Sequence, residues 1–225
     1  MLYMIKAVLF DMDGILYDSE YYYMQGTIDQ MRAYGYTGTD ESIYQIIGTT
    51  MQRTYEILYD LLDGKVPLKT IEKNNTEYFN VKYPIPFKEI MFPGVPEALK
   101  QMKDMGLMLA VCSASSYDLI VASLKDMGID SYFDFIESGE NCPRSKPYPD
   151  IYLLAQQTLK VKKEECLVYE DSCAGIQAGI SAGIRTVARI DTRFHQDQSK
   201  ADIQVKDINE LLALIRKENE YAGSH

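Results

Sequence analysis

The 225-residue sequence predicts an α/β protein, a doubly wound parallel sheet with an α-helical unit inserted after its first strand. Three observations predict it. Beyond residue 90, short β-rich runs alternate with helical patterns, as parallel strands joined by crossover helices require. An apolar run, Lys6-Ala7-Val8-Leu9-Phe10, reads as a buried strand near the start of the chain. Between the two, residues 19–82 read as almost wholly helical. The expected division is therefore a core of residues 1–17 and 88–225 with a helical cap of residues 18–87.

Taken in order, the first strand runs straight into Asp11-Met12-Asp13-Gly14. The helical block follows, rich in tyrosine, with turns expected at Gly35–Thr39, Gly48–Thr50 and Gly64–Pro67 and a return through Tyr83-Pro84-Ile85-Pro86. Most of its tyrosines are expected to pack its own helices. Pro93-Gly94-Val95-Pro96 opens a helix running to about Asp104, and Gly106 stops it. Helices are then expected over 116–127, 149–159 and 172–182, the first and last closed by Gly128 and Gly183. Strands are expected at 107–111, 133–137, 165–169 and 185–189. A helical unit on two adjacent connections is well placed to open and close over the strand ends, where such sheets bind ligands.

Composition narrows the function. Net charge is −10, with a pI near 4.7, which argues against a nucleic-acid backbone as the main partner. The four cysteines, Cys112, Cys142, Cys166 and Cys173, show no CxxC spacing and read as free thiols in a reducing compartment. With His195 and His225 the only histidines, a histidine metal site or a Ser-His-Asp triad has little to work with. Any metal is then a hard ion held by carboxylates. No apolar run reaches membrane-span length, and Lys6 interrupts any secretory leader. The expectation is a cytoplasmic monomer. The final Gly223-Ser224-His225 reads as a cloning remnant.

Four clusters carry the chemistry, each at an expected strand end. In Asp11-Met12-Asp13, side chains two apart on a strand point the same way, so two carboxylates share one side. Like charges there raise one another's pKa, and a divalent cation would offset the repulsion. The pair also offers a nucleophile and an acid/base. In Val111-Cys112-Ser113-Ala114-Ser115, hydroxyls end a strand where a helix starts, an arrangement suited to an anion, although Ser115 with Asp118 also resembles a capping box. Ser145-Lys146-Pro147-Tyr148-Pro149-Asp150 holds a lysine between a loop and a helix start; alone, it reads as a surface lysine. Tyr169-Glu170-Asp171-Ser172 is a second acidic pair, in which Asp171 could be merely an N-cap, and Gly175 and Gly179 allow close helix–sheet packing. Together the clusters place Asp11, Asp13 and Asp171 around one cation, with Ser113 and Lys146 facing the anion it holds.

The order DxDG, SxS, SKPxPD and EDSxxGIxAxxxAG resembles the haloacid dehalogenase superfamily across nearly the whole chain. It is similar in particular to the phosphatase and phosphomutase branch whose helical cap follows the first motif. The resemblance implies a Mg²⁺-dependent hydrolase acting on a small phosphorylated metabolite. It makes Asp11 the nucleophile that forms an aspartyl-phosphate. Asp13 becomes the residue that protonates the leaving oxygen and then activates water, its carbonyl binding magnesium. Asp171 completes the protein's metal ligands with Glu170 in support. Ser113, with Ala114 beside it, binds the phosphate, and Lys146 neutralises it and orients Asp11.

Within that family Asp13 separates the chemistries. Dehalogenases lack an acid there, because displacing a halide needs no leaving-group proton, and phosphonate-cleaving relatives carry alanine. β-Phosphoglucomutases share the cap position, Gly14 and the SxS and EDS motifs. They have a histidine where this chain has Tyr23, and a cap lysine that falls near Asn74, with Lys73 adjacent. The substrate-facing cap loop is Gly48-Thr49-Thr50-Met51-Gln52-Arg53, its arginine shifted from the mutase pattern. Tyr23, Thr49, Gln52 and Arg53 are thus the cap's candidate substrate contacts. Hydrolysis is the expectation and mutase activity the alternative. A phospho-receiver module and a binding protein that has lost catalysis are the rivals from other classes. Receivers are shorter and lack a cap, and the complete set of acids with Lys146 argues against lost catalysis.

Overall fold

The computed structural model describes residues 3–47, 49, 51–79, 85–193 and 197–224. The chain falls into two compact units, Met1–Asp18 with Phe87–His225, and Ser19–Pro86.

In the larger unit, six strands form one parallel sheet among the described residues: β1 (Ala7–Phe10), β2 (Met108–Ser113), β3 (Phe135–Ser138), β4 (Cys166–Glu170), β5 (Arg185–Arg189) and β6 (Ile203–Val205). Their spatial order is β3-β2-β1-β4-β5-β6. β1 is central, with Phe10 in register with Val111 on one side and Tyr169 on the other. All four residues of β1 are buried, as expected of a strand covered on both faces.

The period-2 alternation sorts the core into two layers. Val8 and Phe10, with Leu109, Val111, Leu167 and Tyr169, face helices α5 (Val95–Asp104), α6 (Tyr117–Met127) and α9 (Ile208–Gly223). Ala7 and Leu9, with Ala110, Cys112, Cys166 and Val168, face α7 (Asp150–Leu159) and α8 (Cys173–Ala182). Order reverses about β1, since β2 and β3 lie on one side of it and β4 to β6 on the other. That reversal leaves a crevice at the carboxyl ends of β1 and β4.

The smaller unit holds α1 (Ser19–Ala33), α2 (Asp40–Ile43), α3 (Met51–Leu61) and α4 (Leu68–Glu77). Tyr22, Met24, Ile28, Met31, Ile43, Ile57, Leu58 and Ile71 form its buried interior. Of the run Tyr21-Tyr22-Tyr23 only Tyr22 is buried, and the Tyr23 ring packs against Tyr22 and Phe79. The turn residues Gly48 and Thr50 and the return at Tyr83-Pro84 lie outside the described residues, as does His195. Among the described residues no helix is long and apolar enough to cross a membrane.

The strand at 185–189 has the expected limits and the others differ by one to two residues; the third starts at Phe135, after Asp130–Tyr132 form a 3₁₀ turn. Strand β6 and helix α9 complete the sheet edge and the layer beneath it. α9 runs through Gly223, the first residue of the expected remnant, and is capped by Asp207, whose carboxylate accepts from the N–H groups of Asn209 and Glu210.

Candidate active site

The strand β1 ends at Phe10, and its backbone runs on into the crevice, where Asp11 lies 7% exposed. Gly14 then turns the chain with φ +70°, a conformation that costs glycine little. A β-carbon there would lie 2.0 Å from Asp171 Oδ2, so the glycine also lets the Asp11–Gly14 loop and the end of β4 approach each other. Three hydrogen bonds fasten this approach. The Arg189 Nε donates to the Gly14 carbonyl at 2.6 Å, and Gln198 Nε2 donates to the carbonyls of Asp171 and Arg189 at 2.6 and 2.7 Å.

Lys146, in the loop before α7, turns its side chain inward and is not the surface lysine its local sequence suggests. Its side chain is 9% exposed, and its Nζ donates to Asp11 Oδ1 at 2.6 Å and Glu170 Oε1 at 2.7 Å. The ammonium also lies 5.1 Å from the centre of the Tyr152 ring. Burial alone would lower the Lys146 pKa, but Asp11 and Glu170 beside it hold it well above the usual lysine range.

Glu170 is fully buried and fully occupied. Its Oε1 accepts from Lys146 and from the Tyr152 hydroxyl at 3.0 Å, and its Oε2 accepts from the N–H groups of Asp171 and Ser172 and from the Ser172 hydroxyl. Burial would raise its pKa; the ammonium of Lys146 and these bonds outweigh that and hold it below the usual carboxylate range. Gly175 makes room for this carboxylate, since a β-carbon would sit 1.6 Å from Glu170 Oε1. Asp171 is not the N-cap of α8. Ser172 is, its side chain accepting from Gly175 N–H.

The hydroxyl cluster at the end of β2 meets Asp13. The Ser115 Oγ donates to Asp13 Oδ2 at 3.0 Å, Ser113 Oγ lies at a long 3.5 Å, and the Tyr17 hydroxyl donates to Asp13 Oδ1 at 2.6 Å. The cap of α6 is Ser116, with no side-chain bond, so the capping box expected of Ser115 and Asp118 does not form. Ser113 is buried and its Oγ accepts from Ser115 N–H, whereas Ala114 is exposed at the strand end.

Among the described residues the crevice gathers four acids, Asp11, Asp13, Glu170 and Asp171, and Lys146 pairs with two of them, Asp11 and Glu170. Burial, with Glu170 and Asp13 adding to it against Lys146, pushes the Asp11 carboxyl up to about 8. Oxygens of Asp11, Glu170 and Asp171 lie within 4.8 Å of one another. All are hard donors, so the set fits a hard divalent cation, which would lower the Asp11 pKa in turn. Both Glu170 oxygens already accept hydrogen bonds, and one Asp11 oxygen accepts from Lys146.

In the helical unit, Tyr23 and Thr49 line one cavity of 470 Å³ together with Glu20, Thr27, Asn75 and Phe79, among others. Gln52 and Arg53 do not line it. Arg53 pairs with Glu56 at 3.0 Å and borders a separate depression with Tyr59 and Asp60. Asn74 donates to the Tyr34 hydroxyl at 3.0 Å.

Sequence reasoning missed Tyr17, Tyr152, Arg189 and Gln198. Tyr17 and Tyr152 sit in apolar runs and read as core, and nothing local marks Arg189 or Gln198 as reaching Gly14 and Asp171.

Fold and site define an α/β protein with an acidic, cation-compatible cluster and a buried lysine at the carboxyl edge of a parallel sheet, and with a helical unit inserted after the first strand. The chain belongs to the haloacid dehalogenase-like hydrolases, whose family profile matches residues 8–189. It is 32% identical over 183 residues to a phosphorylated carbohydrates phosphatase of Thermotoga maritima, covering 81% of this chain and 84% of that protein. It is 29% identical over 218 residues to hexitol phosphatase B of Escherichia coli, covering 93% and 95%. Among solved structures it is similar to β-phosphoglucomutase from Clostridium difficile, with a TM-score of 0.68, 26% identity and coverage of 97% and 99%. It is also similar to the CbbY protein from Rhodobacter sphaeroides in complex with phosphate, with a TM-score of 0.65, 28% identity and coverage of 92% and 96%.

Proposed function

We propose that the protein is a phosphatase that hydrolyses a small phosphate monoester, a sugar phosphate or similar metabolite, through a phosphorylated Asp11. The single observation that carries this reading is the bond from Lys146 to Asp11. It ties one carboxylate oxygen to an ammonium and leaves the other to attack, beside an acid, Asp13, held at the same strand end. The phosphatases of phosphorylated carbohydrates and hexitols among the relatives support the substrate class.

In this reading the Asp11 carboxylate attacks phosphorus, and Asp13 gives its proton to the ester oxygen as the P–O bond breaks. Asp13 then takes a proton from the water that cleaves the aspartyl-phosphate. Lys146 keeps Asp11 oriented and offsets charge on the phosphoryl oxygens, while the Ser113 hydroxyl and the Ala114 N–H bind them. Asp11, the Asp13 carbonyl and Asp171 would hold Mg²⁺, which supplies charge stabilisation to the transferring group when bound. Glu170 holds Lys146 in place.

Hydrolysis is favoured over mutase chemistry by two cap positions. Where mutases carry a histidine this chain has Tyr23, with its ring against Tyr22 and Phe79, and near the mutase lysine Asn74 bonds to Tyr34. Tyr23 and Thr49, on one cavity wall, are better placed than Gln52 and Arg53 to select the ester. The test is a panel of phosphorylated metabolites, hexitol phosphates and β-glucose 1-phosphate included, assayed with Mg²⁺ for both inorganic phosphate and isomerised product. Phosphate release from sugar-like esters is expected; isomer without phosphate would establish the mutase instead.

A further inference from the structure

We propose that Tyr17 is a positioning residue for proton transfer, fixing which oxygen of Asp13 faces the leaving group. This rests on the hydrolytic reading above. Tyr17 is wholly buried, and its hydroxyl donates to Asp13 Oδ1 at 2.6 Å. The short turn after Gly14 brings it back onto Asp13: Gly14 N–H donates to the Tyr17 carbonyl at 3.0 Å, and Tyr17 bridges to Asp13 on one side and Met91 on the other. The Phe87 ring packs edge-on against the Tyr17 ring, centroids 5.1 Å apart. The phenol is therefore held by backbone and ring together, with its hydroxyl directed at Asp13 Oδ1.

The two sides of the Asp13 carboxyl are consequently unequal. A carboxylic acid has one carbonyl-like oxygen, which accepts, and one hydroxyl oxygen, which donates. Tyr17 donates to Oδ1 and makes it the accepting side, which leaves Oδ2 as the side that can hand a proton on. Among the described residues Oδ2 is met by serine hydroxyls, from Ser115 at 3.0 Å and Ser113 at 3.5 Å, and a serine hydroxyl can rotate from donor to acceptor. In the first half-reaction the Oδ2–H proton passes to the ester oxygen as the P–O bond breaks and the Asp11 oxygen–phosphorus bond forms. In the second half, Oδ2 takes a proton from the water whose oxygen bonds to phosphorus as the Asp11 bond breaks. Tyr17 keeps its own proton throughout and touches neither substrate nor phosphorus.

A test uses two esters with the full-length chain and its Tyr17→Phe variant, which keeps the ring and its packing. One is an alkyl phosphate, whose leaving oxygen needs a proton. The other is p-nitrophenyl phosphate, whose leaving group departs as a stable anion. Because kcat/KM covers the steps up to leaving-group departure, the ratio of kcat/KM for alkyl over aryl ester isolates proton donation. The ratio is expected to fall about tenfold or more in Tyr17→Phe, a part of the 10²–10⁴-fold that general acid catalysis supplies. An equal fall for both esters would make Tyr17 merely structural, and an unchanged ratio would likewise overturn the proposal. If the native chain releases phosphate from neither ester, the hydrolytic reading itself fails, and that failure is visible before any variant is made.

Discussion

Glu170 shows how a single buried carboxylate can organise the groups around it. It carries charge at zero exposure, and its two oxygens accept hydrogen bonds from Lys146, Tyr152, Ser172 and the Asp171 backbone. A charge so buried is tolerable only when it is paired and bonded. Replacing one oxygen by an amide turns an acceptor into a donor among donors and removes one of the two carboxylates that pair with Lys146. Glu170→Gln is therefore expected to lower stability by about 2–4 kcal/mol, read from urea unfolding of the purified protein. Unchanged stability would show that these bonds add little. At the same scale, Lys146 reverses its sequence reading: its surroundings in the loop look solvated, but a strand 135 positions away in sequence supplies its partner Asp11.

At the scale of elements, the site depends on how closely α8 lies on the sheet. Gly179 on α8 permits this: a β-carbon there would come within 2.3 Å of the buried Thr186 Oγ1 and 3.2 Å of Val168 Cγ1. Alanine would gain roughly 1 kcal/mol of helix propensity, but overpacking against two buried β-branched side chains outweighs it. Gly179→Ala is expected to be destabilising by about 1–3 kcal/mol net, and each kcal/mol lowers Tm by about 2–4 °C in a chain of this size. A Tm equal to or above that of the native chain would contradict the packing argument. The same helix shows what the sequence makes legible. Gly175 and Gly179 were readable as close-packing glycines from spacing alone, and so were the strand-helix alternation and the acids at strand ends, because periodicity and glycine placement are local signals. What was not readable is contact over long range. Tyr152 reaching Glu170 and Arg189 reaching Gly14 depend on which loops the sheet order brings together, while Tyr17 reaches Asp13 only through the tight turn after Gly14, and each residue taken alone looks like ordinary core or surface. Strand β6 was hidden for another reason: with three residues, only one of them buried, it carries almost no period-2 signal.

At the scale of the whole molecule, the parallel sheet gathers groups from four distant stretches of chain into one crevice: Asp11 and Asp13, Ser113 to Ser115, Lys146, and Glu170 with Asp171. The order of strands places β1 between β2 and β4, so those three carboxyl ends are neighbours and the loop before α7 supplies the lysine. The helical unit leaves the chain between Asp18 and Ser19, just beyond the loop carrying the acids. Chain connectivity thus ties the element expected to choose the substrate to the segment expected to react with it. The account turns on Asp11 as the group that takes the phosphoryl. Its most direct test is Mg²⁺-dependent phosphate release from a phosphate monoester by the native chain and by Asp11→Asn, with folding of both verified by thermal unfolding. The native chain is expected to turn over with Mg²⁺ and to stop when the metal is chelated, and the variant to lose activity by roughly a thousandfold or more, as loss of an essential nucleophile does. A folded Asp11→Asn enzyme that retains a rate within about tenfold of the native one would contradict the account.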